Sequence, residues 1–204
     1  MFLPLIAIAV VLSTAAQAHF QMQYPIPRGP FVQDLEPTFC DGYTNAVDNR
    51  TTFPLSNGII NMNSEHPLWT AEVFISTYQN PDNFSDFNSS SGYQVVVPIF
   101  QQSGEGLYCF PIDIDAAAVN VSGIQDGANV TIQVLFNGGD GNLYQCADLT
   151  LSANMTVPPA SASSGCTNVS SSSTKSSAGK GVEVGTGIFI AGVLSMAMML
   201  LSAL

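Results

Sequence analysis

Two histidines, His19 and His66, are the only ones in the 204-residue sequence, and their placement suggests metal chemistry. His19 follows Ala16-Gln17-Ala18, a small-x-small pattern that closes an apolar run from Phe2 to Leu12. Residues 1–18 therefore read as a secretory signal peptide, although no positive charge precedes the run. The run is short for a bilayer span. Cleavage after Ala18 would give His19 a free α-amine. That amine and the ring Nδ1 can close a six-membered chelate on one metal ion. A second imidazole, which here must come from His66, would complete a T-shaped set of three nitrogens. Nitrogen donors in tetragonal geometry suit Cu(II), which heads the divalent affinity order. Alone, His66 before Pro67 would read as a surface or capping residue. Paired with a histidine at a new N-terminus, it reads as a ligand for one Cu(2+) per chain.

Other chemistries have less support. A Ser-His-Asp triad would have to use His66, and the G-x-S-x-G elbow is absent. The carboxylates are scattered, and no pair of them marks a glycosidase. The four cysteines, Cys40, Cys109, Cys146 and Cys166, contain no CxxC spacing, which argues against zinc. A formal net charge of -11, with four Lys+Arg against fifteen Asp+Glu, disfavours nucleic acid and anionic membrane surfaces, both of which select basic faces. Trp69, beside His66, reads as packing rather than as a sugar platform.

The elements that must position the histidines read as strands. Thr70–Ser76, Tyr93–Phe100, Leu107–Pro111, Asn129–Phe136 and Tyr144–Ser152 are short and rich in β-formers. Val130, Ile132, Val134 and Phe136 alternate with Thr131, Gln133 and Leu135, close to period two. Turn-rich stretches over Pro81–Gly92, Ser103–Gly106 and Asn137–Asn142 separate the strands. Asp113–Val119 has room for one helical turn. The pattern predicts an all-β fold, an immunoglobulin/fibronectin-like antiparallel sandwich over residues 19–160.

The rest of the chain reads as targeting and surface chemistry. Residues 161–177 are a Ser/Thr-rich stretch of the kind that forms a glycosylated stalk. Small residues at 176–179, a polar spacer and an apolar tail from Ile188 form the pattern of a GPI-attachment signal. Ser177 is the expected attachment residue, with Ser176 and Ala178 as alternatives, and 178–204 is the expected propeptide. Seven N-x-[ST] sequons, at Asn49, Asn83, Asn88, Asn120, Asn129, Asn154 and Asn168, fit a secreted glycoprotein. Four cysteines in an oxidising compartment predict two disulfides. Three pairings are open. The preferred one, Cys40–Cys146 with Cys109–Cys166, would join the N-terminal region to a late strand and anchor the stalk.

The segment His19-Phe20-Gln21-Met22-Gln23-Tyr24-Pro25-Ile26-Pro27-Arg28-Gly29 resembles the opening of fungal copper-binding proteins related to lytic polysaccharide monooxygenases. Glu65-His66-Pro67-Leu68-Trp69 is similar to the context of their second histidine, and Gln145-Cys146-Ala147-Asp148-Leu149 to their late strand. The resemblance covers most of residues 19–152. It is strongest to the GPI-anchored copper acquisition factor-like group, in which an aspartate joins the histidine brace. Phe20 stands where many true monooxygenases carry glycine. Asp148 is the expected aspartate, because it lies on the face of its strand opposite Ala147, Leu149 and Leu151. Asp140 in the NGGDGN loop is the competing candidate. Tyr144 has a weaker claim as an axial or neighbouring aromatic.

The resemblance implies copper acquisition or homeostasis at a fungal cell surface rather than an enzyme. A carboxylate donor favours Cu(II) over Cu(I) and fills a position that dioxygen needs. The implied partners are the copper ion, the membrane through a GPI anchor, and a copper transporter or cell-wall glycan, with the chain itself a monomer. The competing readings are a copper-dependent monooxygenase acting on cell-wall glycan and a structural wall mannoprotein.

Overall fold

The computed structural model describes residues 19–155, 160–164 and 166. Residues 1–18, expected to be a signal peptide, together with Asn168, Ser177 and the 178–204 segment, lie outside the described residues. Among the described residues no helix is long and apolar enough to cross a membrane.

Among the described residues ten strands carry the fold: β1 (Phe20–Tyr24), β2 (Thr51–Pro54), β3 (Gly58–Ser64), β4 (Leu68–Ser76), β5 (Asn88–Ser89), β6 (Gly92–Tyr93), β7 (Val95–Ser103), β8 (Gly106–Ile112), β9 (Asn129–Asn137) and β10 (Asn142–Ser152). One turn of α-helix, α1 (Ile114–Ala117), is capped by the Asp113 side chain, which accepts from the Ala116 N–H, and is the α-helix among the described residues. β1, β3 and β8 form one sheet, and β2, β10, β9, β4 and β7 form the other. β5 and β6 make a separate small hairpin.

The two larger sheets enclose one core. Phe20, Met22, Ile60, Met62, Phe110 and Ile112 from the small sheet meet Trp69, Val73, Ile75, Ile132, Val134, Phe136 and Leu149 from the large one. Phe20 stacks on Phe136 across the gap at 4.9 Å. Burying a side chain of this size stabilises the fold by roughly 1.5–3 kcal/mol. The period-two reading of β9 holds: Val130, Ile132, Val134 and Phe136 are all fully buried in this core.

The expected all-β sandwich is present, with one difference in pairing. β2 runs parallel to β10, while the other strand pairs are antiparallel. Three strands of the two larger sheets were not predicted. β1 is short and ends beside Pro25, β2 ends on Pro54 at a sheet edge, and β3 carries Asn61 and Asn63. Proline is confined to edges and asparagine is depleted in strands, so these sequences signal strand weakly. Pro98 in β7 is tolerated for the same reason, since β7 is the opposite edge of that sheet.

The outer face of the large sheet is covered by a long loop between β1 and β2. Its 3-10 turn at Phe39–Gly42 is joined to β10 by the Cys40–Cys146 disulfide. Phe39, Phe74 and Phe87 pack around that bond. The second disulfide, Cys109–Cys166, ties β8 to the residues after β10. Both bonds follow the preferred pairing. The packed region extends past the expected boundary at 160: Ala162 is fully buried, and Asn61 donates to the Ser164 carbonyl at 3.2 Å. Composition predicted an unpacked stalk from residue 161, but the cross-link to Cys109 holds its first turn against β3 and β8.

Candidate metal centre

Both histidines lie at one end of the sandwich. Phe20 pairs with Ser64, and the Glu65 N–H donates to the His19 carbonyl at 2.9 Å, so β1 and β3 carry them there together. His66 sits in the short β3–β4 connection, where its N–H donates to Ser64 Oγ at 3.2 Å. Gly104 N–H fixes the next residue by donating to the Pro67 carbonyl. Phe136 forms a shared floor, stacked on Phe20 and 5.6 Å from the His66 ring.

The β9–β10 turn closes over His66. Gly139 and Gly141 adopt positive φ, and Asn137 Oδ1 accepts the Gly139 N–H at 2.7 Å. Glycine reaches such φ values without the Cβ clash that disfavours other residues. Gly138 has a different requirement: a Cβ built there would fall within the His66 ring. Its missing side chain lets the turn lie against the imidazole. The turn thereby places Asp140 Oδ1 3.4 Å from His66 Nε2, with the Asp140 side chain 42% exposed.

His19 is held differently. Its Nδ1 lies 2.5 Å from Oε2 of Glu36, while Oε1 of Glu36 accepts the Phe20 N–H at 3.2 Å. Phe31 meets the ring edge-on at 5.8 Å. Glu36 is completely buried, and its carbonyl accepts the Tyr144 N–H of β10. Burial pushes its carboxyl up to about 7, against the lowering effects of the His19 and Phe20 hydrogen bonds and the His19 charge. Gln145 completes the clamp on β1, accepting the Met22 N–H and donating to the Phe20 carbonyl.

The expectation that Asp148 joins the histidines is corrected. Asp148 faces away from the core, as its strand position required, but the loop after β1 buries it. Arg28 Nε and Nη2 donate to its two oxygens at 3.0 and 2.9 Å, Thr131 Oγ1 donates at 2.6 Å, and the Val47 N–H donates at 3.0 Å. It is six residues along β10 from Asn142, about 20 Å at strand rise, and so is remote from the turn that covers His66. Burial alone would raise its carboxyl. The hydrogen bonds from Arg28, Thr131 and Val47, with the Arg28 charge, outweigh that and hold it below the usual range. The guanidinium already supplies the cation for this carboxylate. Asp140, the competing candidate, is the aspartate beside a histidine.

Two aromatic residues take packing roles. Tyr144 meets Phe84 edge-on at 4.7 Å on the outer face. Trp69 is buried against Phe136, Tyr108 and Phe100, and its Nε1 donates to the Gly104 carbonyl. Glu36, Gly138 and Phe136 are site residues that sequence reasoning missed.

The donor set fits a divalent ion that accepts nitrogen and oxygen, with two imidazoles and a half-exposed carboxylate at one edge. Among the described residues, no three His, Cys, Asp or Glu side chains already converge at metal distance. His66 and Asp140 are adjacent, whereas the His19 ring nitrogen is engaged by Glu36.

Residues 17–171 match the family model described as copper acquisition factor BIM1-like. The chain is 41% identical over 166 residues to the copper acquisition factor BIM1 of Cryptococcus neoformans var. grubii, covering 80% of this chain and 72% of that protein. It is 42% identical over 160 residues to the protein of the same name from Cryptococcus neoformans var. neoformans, covering 76% and 70%. A more distant relative is the lytic polysaccharide monooxygenase-like protein X325 of Yarrowia lipolytica, 28% identical over 157 residues, covering 72% and 54%.

Proposed function

We propose a function for a chain that belongs to the BIM1-like copper acquisition factor family: it captures copper as cargo in copper acquisition outside the cell. The observation that carries this reading is the gathering of His19, His66 and Asp140 at one end of the sandwich. Signal-peptide removal after Ala18 supplies the remaining donor, the His19 α-amine. The amine, the His19 Nδ1 and the His66 ring form a histidine brace for Cu(2+), with the Asp140 carboxylate as the oxygen donor. A GPI anchor at Ser177 holds the domain at the outer face of the plasma membrane.

Each group has a distinct role. The amine and the two imidazoles bind once they have lost protons, so affinity falls as pH drops. The carboxylate contributes negative charge and favours Cu(II) over Cu(I). Delivery of the ion, rather than glycan oxidation, follows from that preference.

The decisive comparison is between mature protein beginning at His19 and protein with one added residue before it. Titration with Cu(II), followed by EPR, should show a one-to-one nitrogen-rich centre in the first. The second should lose most of that affinity, because its amine has become an amide. Equal affinity in the two would eliminate the brace. Release of oxidised oligosaccharides from cell-wall glycan with a reductant, abolished in His19→Ala, would favour the monooxygenase reading instead.

A further inference from the structure

Glu36 is explained by neither the fold nor the donor set alone. It is completely buried at the end of a 3-10 turn, and both of its oxygens point at the first two residues of the domain. With the Glu36 carboxyl ionised, the proton shared between it and His19 sits on Nδ1. Nδ1 is also the nitrogen that forms a six-membered chelate with the α-amine. One ring nitrogen cannot serve the carboxylate and the metal together.

A half-turn of the ring about Cβ–Cγ resolves the conflict without moving the backbone. It exchanges Nδ1 with Cδ2 and brings Nε2 to the edge that faces Glu36. Metal-bound imidazoles commonly donate their other N–H to a carboxylate, which fixes the ring orientation and raises its basicity. Resting on the proposed function, we propose that Glu36 is the positioning partner of His19 in both states: it accepts Nδ1–H before copper arrives and Nε2–H once Nδ1 holds the ion. Protons balance in either form of the ring. A neutral ring moves its proton from Nδ1 to Nε2 through solvent, and an imidazolium releases its Nδ1 proton to solvent.

Glu36 is suited to this role by how it is held. Its carbonyl is tied to β10 through the Tyr144 N–H at 2.8 Å, four residues before the Cys40–Cys146 disulfide. Its second oxygen is retained by the Phe20 N–H. The carboxylate therefore stays in place while the ring turns.

The test uses mature protein beginning at His19, as wild type and as Glu36→Gln. On wild type, 15N shifts of the imidazoles should place the His19 proton on Nδ1 in metal-free protein and on Nε2 in Cu(I)-loaded protein. Pulsed EPR of the Cu(II) form should show a remote-nitrogen quadrupole coupling for His19 that shifts in Glu36→Gln. The variant should bind Cu(II) about 10–100-fold more weakly. An Nδ1 proton retained in the loaded protein overturns the proposal. So does a variant with wild-type affinity and remote-nitrogen coupling, and in both cases the brace itself survives. Wild-type protein that forms no copper centre overturns the proposal and the parent reading together. The wild-type 15N measurement decides even if Glu36→Gln fails to fold.

Discussion

Two aspartates eight residues apart on one hairpin have opposite fates. Asp140 lies half-exposed at the turn beside the His66 ring. Asp148 is buried in the middle of β10 beneath the loop after β1, with Arg28 on both oxygens. Strand alternation favoured Asp148, and Asp140, in the loop, was the competing candidate. Their partners separate them. A carboxylate gripped by a guanidinium is already neutralised, and moving a metal to it would strand a buried arginine. A half-exposed carboxylate at the edge of an imidazole keeps an open side.

Removing the buried charge should have the largest effect. Asp148→Asn leaves Arg28 uncompensated and should cost about 3–5 kcal/mol in urea unfolding. The copper EPR spectrum of the folded fraction should match wild type. A changed spectrum with intact stability would reverse the two assignments. The pair also fixes the acid limb of stability. Because the native carboxyl titrates below its ordinary value, its contribution is full above the usual carboxylate range and is lost as pH falls through the lowered value.

Gly138→Ala should come next. Its Cβ meets the His66 ring, so the turn or the imidazole must shift, at a cost of roughly 1–3 kcal/mol. Here stability and copper affinity should fall together, unlike in Asp148→Asn. Loss of stability alone, with copper affinity unchanged, would mean that the turn does not shape the site.

Asp140→Asn should have the smallest structural effect. Unfolding should change by less than about 0.5 kcal/mol, as for an exposed side chain. Cu(II) affinity should drop by at least about tenfold, or about 1.4 kcal/mol, with an altered EPR spectrum. An unchanged spectrum would remove Asp140 from the donor set.

The legible parts of the fold were those in which period-two burial is strong. The alternation of β9 was visible because Val130, Ile132, Val134 and Phe136 all face one core. β3 was hidden because Asn61 and Asn63 weaken its β signal. At the site, His19 and His66 stood out because no other histidine competes with them. Glu36 carried no comparable signal, since nothing local shows that a surface-type residue will be buried beneath β1. Asp148 was misassigned because its partner, Arg28, is 120 residues away in sequence. Pairing of charges across a loop is a tertiary fact, and strand alternation contains no record of it. The sequons show the same limit. Asn49, Asn83, Asn88, Asn120 and Asn154 are exposed, with Asn83 also capping a 3-10 turn, whereas Asn129 is half-buried and accepts from Thr150.

The Cys109–Cys166 bond also decides how the domain responds to mechanical load. Without it, tension applied beyond residue 166 would enter through the end of β10 and tend to peel that strand from its sheet. With the bond closed, tension enters at Cys109 in the middle of β8. β9, β10 and the turn carrying Asp140 all fall inside the closed covalent loop, and His19 and His66 precede its anchor. A pull on the C-terminal side therefore enters away from the turn carrying Asp140 and from the end of the sandwich that carries both histidines, as a strain-relief clamp keeps load off an electrical contact.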